Sequence, residues 1–99
     1  MKEITAADFL NRKNKGEQLL LIDVREVWEF EEESIAEKCC PLGELPQFLD
    51  ELNAYKQQAI VVHCKTGDRS KKAQKFLIKQ GFSLVYSLSG GIEAFRQFV

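Results

Sequence analysis

The chain has 99 residues, 44% of them hydrophobic and 29% charged, with a formal net charge of −1. That is the composition of one ordinary globular domain spanning residues 1–99, large enough for a single core. The near-zero charge excludes a global basic field for nucleic acid, and no apolar run approaches the length of a membrane span.

The opening residues Met1-Lys2-Glu3-Ile4-Thr5 lack the apolar stretch of a secretory signal, so the expected location is cytoplasmic. Thr5-Ala6-Ala7-Asp8 has the spacing of a helix cap and predicts a helix from Ala6 to about Lys13, ended by Asn14-Lys15-Gly16. Leu19-Leu20-Leu21-Ile22-Asp23-Val24 is an unbroken apolar run with one acid near its end, as in a strand covered on both faces. A short helix is expected over Glu26–Glu32, with Trp28 and Phe30 packing inward and Glu29, Glu31, Glu32 and Glu33 forming a solvated surface. Ser34 to Cys40 has no clear period. Pro41 then fixes the chain ahead of Leu42-Gly43-Glu44-Leu45-Pro46, and Phe48, Leu49 and Leu52 mark a helix ending near Tyr55.

Ala59-Ile60-Val61-Val62-His63 is β-branched and apolar and reads as a buried strand. A helix is expected over Ser70–Gln80, where Ala73, Phe76, Leu77 and Gln80 fall at helical spacing, with Gly81 as its stop. Ser83–Ser87 reads as a strand, Ser89-Gly90-Gly91 as a turn and Ile92–Phe98 as a terminal helix. Strands alternating with helices place the chain in the α/β class, with a parallel sheet and helices on both faces.

The most informative stretch is Cys64-Lys65-Thr66-Gly67-Asp68-Arg69-Ser70. It sets a cysteine on a tight turn between the carboxyl end of a strand and the amino end of a helix, the edge where open α/β sheets bind ligands. Backbone N–H groups of such a turn can curl around a sulfur, and the helix terminus adds partial positive charge. Lys65 and Arg69 add full charges. All of these favour thiolate over thiol. A buried cysteine acting only as a small hydrophobe would be expected inside the apolar run, whereas Cys64 follows it. The other two cysteines, Cys39 and Cys40, are adjacent and are expected to fill the core beside Pro41 rather than to resolve an oxidised sulfur. An odd cysteine count argues against a disulfide framework, and with one histidine and no Cys-x-x-Cys pair no metal is expected.

Taken in order, Leu21-Ile22-Asp23-Val24-Arg25-Glu26, Trp28-Glu29-Phe30, Pro41 to Pro46, Ile60 to Cys64, Arg69-Ser70 and Leu88-Ser89-Gly90-Gly91-Ile92 make nearly the whole chain resemble a rhodanese domain. The resemblance implies a five-stranded parallel sheet and a cysteine turn cradling a Cys64 persulfide, with no cofactor beyond that covalent intermediate. Within the family, the chain resembles rhodanese domains that work beside the adenylating enzymes of molybdopterin and thiamine biosynthesis. It departs from the family at Glu33-Ser34-Ile35-Ala36-Glu37-Lys38, where many members carry Gly-His-Ile-x-Gly-Ala ahead of the third strand.

The implied activity moves a sulfane sulfur from thiosulfate or a protein persulfide to a nucleophilic acceptor, a protein or a small molecule, with neither nucleic acid nor membrane as a partner. Gly67 lets the turn close on the sulfur, Thr66 can donate a hydroxyl hydrogen bond, and Lys65 and Arg69 can hold an anion. Asp68 lowers the positive charge of the turn and is expected to weaken binding of a small dianion. Asp23, Arg25 and Ser70 are expected to support the turn, the first two as an ion pair. His63 is expected to be a core histidine facing away from Cys64, because neighbouring strand residues point to opposite faces. Arg69, Lys71, Lys72, Lys75 and Lys79 make a basic region suited to an acidic protein partner. Two alternatives stand beside sulfur transfer. One is a non-catalytic binding or sulfur-sensing module. The other is a cysteine phosphatase or arsenate reductase, which needs five residues between Cys and Arg where this chain has four.

Overall fold

The central strands are those whose sequences offer water no face at all. In the computed structural model, which describes residues 2–98, Leu19–Asp23 and Ala59–His63 are buried at every position and pair in parallel, with Leu19 opposite Ala59 and Asp23 opposite His63. We number the strands β1 (Lys2–Ile4), β2 (Leu19–Asp23), β3 (Lys38–Cys39), β4 (Ala59–His63) and β5 (Val85–Leu88). All pairings are parallel and the sheet order is β1-β5-β4-β2-β3.

Alternation along the strands divides the core in two. Leu20, Ile22, Ile60, Val62 and Cys64 face one side, and Leu19, Leu21, Ala59 and Val61 face the other. The first side is covered by α3 (Leu49–Leu52) and α4 (Asp68–Lys79), through Leu52, Ala73 and Leu77. The second is covered by α1 (Ala6–Asn14) and α5 (Gly91–Phe98), through Phe9 and Phe95. Fully burying a side chain such as Ile22 or Ile60 contributes about 1.5–3 kcal/mol. These rows anchor the strand ends on which the polar groups are mounted.

The α/β class, the parallel sheet and the helices on both faces agree with the sequence. Thr5 caps α1 by accepting the Asp8 N–H at 3.1 Å. Differences lie at the margins and have local causes. The edge strand β1 has three residues, too few to show an alternation. β3 has only two residues and pairs with Ile22 and Asp23, so the irregular stretch before it carries almost no ladder. β5 begins at Val85 rather than Ser83. Pro46 lies within a 3₁₀ helix over Leu42–Phe48, and a further 3₁₀ turn, Asn53–Tyr55, follows α3.

Several residues expected to pack inward lie outside the buried core, Phe30 and Cys39 being only half-buried. Gln80 is exposed because it caps α4, where Gly81 turns the chain with φ +95°; the buried glutamine is Gln74, whose amide donates to Lys2 O and Val85 O. Trp28 is 63% exposed, and the helix that carries it, α2 (Val27–Glu32), buries no residue. Six residues lying outside the sheet edge make too short a helix to bury a full apolar stripe. α2 is held instead by polar contacts at its ends.

Candidate active site

α4 begins at Asp68, two residues earlier than its apolar spacing predicts, so the cysteine turn is tighter than the sequence suggests. Gly67 is the residue before the helix and has φ +125°, a conformation that L side chains rarely adopt. This sharp reversal aims two backbone donors at the sulfur. Gly67 N–H donates to Cys64 Sγ at 3.1 Å and Ser70 N–H at 3.3 Å. The sulfur thus lies against the amino end of a 12-residue helix, where unpaired N–H groups and the helix dipole favour negative charge. Cys64 itself is 1% exposed.

Ser70 ties this cradle to the sheet. Its hydroxyl donates to Gly67 O at 3.0 Å, lies 2.7 Å from Ser87 Oγ on β5 and stands 3.7 Å from Cys64 Sγ. The amino end of α5 closes the turn from behind, as Ile92 N–H donates to Cys64 O at 2.9 Å and Glu93 N–H to Lys65 O at 3.3 Å. Gly91 allows that approach. A Cβ there would come within 2.4 Å of Cys64 O and 2.5 Å of Lys65 O, closer than real atoms pack.

The carboxyl end of β2 carries a second polar assembly. Asp23 is fully buried, and its carboxylate accepts Arg25 Nε at 3.0 Å, Arg25 Nη2 at 2.8 Å, Arg25 N–H at 2.9 Å and the Ser34 hydroxyl at 3.2 Å. Arg25 Nη2 also donates to Glu33 O at 2.6 Å, placing a cation at the carboxyl end of α2. Ser34 thus occupies the departure from the family pattern with a hydroxyl bonded to Asp23.

His63 lies on the opposite face from Cys64 and has no exposed surface. Its Nδ1 is 3.4 Å from Cys64 O, and its Nε2 is 3.7 Å from Asp23 Oδ2 with no hydrogen-bond partner. Burial pushes its pKa below the usual imidazole range, against the opposing pull of the Asp23 charge. A neutral imidazole follows, packed beside the carboxylate rather than paired with it. Burial also raises the other two thiols, Cys39 to about 11 and Cys40 to about 12, and all three cysteines are free.

Lys65, Thr66 and Asp68 are exposed at the rim, while the sulfur's donors are the backbone groups of Gly67 and Ser70. Arg69 turns away from the cradle into a two-armed ion pair with Glu29 of α2, at 2.7 and 3.1 Å. Glu29 is therefore not the solvated acid expected from its neighbours, and the Arg69 guanidinium holds its pKa down at about 2. Glu29, Trp28, Lys65 and Arg96 are among the residues lining a groove of about 360 Å³ beside the turn. Glu29, Ser87 and Gly91 have no part in the site as read from sequence. A serine inside an apolar strand and paired glycines ahead of a helix were the signals for the last two; Glu29 had none, because its partner lies 40 residues away.

A family model described as Rhodanese-like domain matches residues 5–98. A sulfurtransferase of Allochromatium vinosum is 30% identical over 98 residues, covering 98% of this chain and 90% of its own. The thiosulfate sulfurtransferase GlpE of Coxiella burnetii is 32% identical over 83 residues, covering 83% and 76%. Among solved structures, a rhodanese-related protein from Thermoplasma volcanium superposes with a TM-score of 0.85 at 28% identity, over 99% of this chain and 93% of that one. With its parallel sheet and its cysteine turn at the carboxyl edge of β4, the chain belongs to the rhodanese-like domain family, whose relatives here include sulfurtransferases.

Proposed function

We propose that the protein is a sulfurtransferase working through a persulfide on Cys64. The observation that carries the reading is the pair of backbone donors converging on Cys64 Sγ at the start of α4, an arrangement that suits a sulfur bearing negative charge. The thiolate attacks the outer sulfur of the donor. With thiosulfate, the S–S bond breaks, sulfite leaves with the bonding pair, and Cys64-S-S⁻ remains. An acceptor thiolate then attacks the terminal sulfur, forms its own persulfide and regenerates Cys64-S⁻, so charge and electrons balance in both steps.

The same geometry disfavours the phosphatase reading. The turn is one residue too short for a phosphate-wrapping loop, and Arg69, which would clamp the oxyanion, is engaged by Glu29. The lysines of α4, Lys71, Lys72, Lys75 and Lys79, are exposed, form no ion pair among the described residues, and support an acidic protein as sulfur donor or acceptor. Three free thiols fit a reducing compartment, which supports a cytoplasmic site of action. The run Pro41–Pro46 and the Cys-x-x-Gly-x-Arg-Ser turn support a role in sulfur-containing cofactor biosynthesis.

The test is the intact mass of the reduced protein after thiosulfate or a persulfidated cysteine desulfurase, and then after cyanide, beside Cys64→Ala. The expected result is one added sulfur that requires Cys64 and leaves with cyanide. No adduct from either donor would leave the chain a binding module on a rhodanese fold.

A further inference from the structure

The groove beside the cysteine turn and its flank carry cations that already have partners. Arg25 is bound by Asp23, Arg96 by Glu33 and Arg69 by Glu29. Among the described residues of the groove, Lys65 is the cation left without an ion-pair partner, and Glu32 is a carboxylate in the same position. The acids and bases of this groove therefore balance, and it carries no net positive charge although arginines line it.

Glu29 is the acid that matters most, because its partner belongs to the turn itself. Arg69 precedes Ser70, whose N–H holds the Cys64 sulfur. A guanidinium in that place would receive the sulfonate of thiosulfate with two parallel hydrogen bonds. Glu29 already fills that role with both carboxylate oxygens, and Oε1 also accepts Glu26 N–H at 3.0 Å, which locks the carboxylate in position. An incoming dianion would have to break two charge-assisted bonds and would then lie beside the carboxylate it displaced.

We propose that Glu29 is a specificity-determining residue that acts by positioning Arg69: it occupies both arms of the guanidinium and so turns the cysteine site away from small dianionic sulfur donors, toward donors of lower charge such as a protein-bound persulfide. The inference rests on the sulfur-transfer reading for its biological meaning. The charge selectivity it describes exists at the sulfur whatever the donor.

That separation sets the experiment. Iodoacetate and iodoacetamide alkylate the same Cys64 thiolate with loss of iodide, and they differ in one negative charge. The ratio of their rates at Cys64, read by peptide mass, cancels the thiolate fraction and reports anion selectivity alone. In Glu29→Gln the iodoacetate/iodoacetamide ratio rises by about five- to tenfold, and KM for thiosulfate falls by a similar factor with kcat nearly constant. In Arg69→Gln, which bares the Glu29 carboxylate, the ratio drops below that of the native protein. A merely structural ion pair would move neither ratio, and unchanged ratios in both variants overturn the proposal. If native Cys64 accepts sulfur from no donor, the proposed function falls, while the alkylation ratios still decide the role of Glu29.

Discussion

The carboxyl ends of β2 and β4 are neighbours in one sheet, yet they are built on opposite principles. At β2, full charges meet and cancel: Asp23 is buried against the Arg25 guanidinium, with Ser34 and the backbone completing its hydrogen bonds. At β4, the Cys64 sulfur meets neutral donors only, the N–H groups of Gly67 and Ser70. A buried carboxylate left without its cation would be costly, so the β2 end is closed and rigid. A nucleophile neutralised by a tight counter-charge would be a poor one. Backbone dipoles favour the charged sulfur while leaving it uncommitted. The closed end is thus tied to the cysteine turn, through Arg25 to the Glu29 carbonyl and from the Glu29 carboxylate to Arg69.

The sharpest way to break this division is to remove a charge from the closed end. Arg25→Ala leaves the Asp23 carboxylate buried and unpaired and is expected to cost about 3–5 kcal/mol of unfolding free energy, read by denaturant titration. Equal stability would mean that the pair is ornamental. Next in size is Gly91→Ala, which touches no charge at all. Its Cβ would collide with the carbonyls of Cys64 and Lys65, so the turn must shift. We expect about 1–3 kcal/mol of destabilisation and a more than tenfold fall in the rate of sulfur loading at Cys64. Loss of stability with unchanged loading would show that the cradle tolerates displacement.

Which parts of this arrangement were legible beforehand follows from the range of the forces involved. The strands at Leu19–Asp23 and Ala59–His63, the cysteine turn between strand and helix and the placing of His63 on the sheet face opposite Cys64 follow from local pattern, because burial on two faces and alternation are properties of short windows. The short edge strand β1 and the two-residue β3 hold almost no such pattern and exist because β5 and β2 offer them unpaired backbone groups. Trp28 reads as core by composition and is exposed because six residues of helix find nothing to pack it against. Glu29 reads as one acid among several. Its bond to Arg69 depends on how α2 and α4 approach across the sheet edge, which no window of sequence contains.

A smaller effect probes the same division by pH. His63 has its pKa lowered by burial in the folded protein, so the unfolded chain binds a proton more readily than the native one. Stability is unaffected well above the ordinary imidazole pKa of about 6.5 and falls as the pH drops below it, by about 1.4 kcal/mol per pH unit until the folded histidine itself protonates. Thermal melts of the native protein and His63→Gln between pH 7 and pH 5 should diverge in that window. Parallel melts would mean that Asp23 compensates the buried ring and that the closed end accepts another charge.

The smallest expected change is at the rim of the open end. Asp68 is exposed at the first residue of α4, the same amino terminus against which the Cys64 sulfur lies. A dianionic donor approaching that terminus would feel Asp68 as repulsion across solvent. Asp68→Asn should raise kcat/KM for thiosulfate by about two- to threefold, the range of an exposed charge pair, and the gain should vanish in high salt. Salt resistance would assign the effect to the backbone cradle rather than to the field around it. An unchanged or lower kcat/KM would show that the backbone donors outweigh a surface charge one turn away.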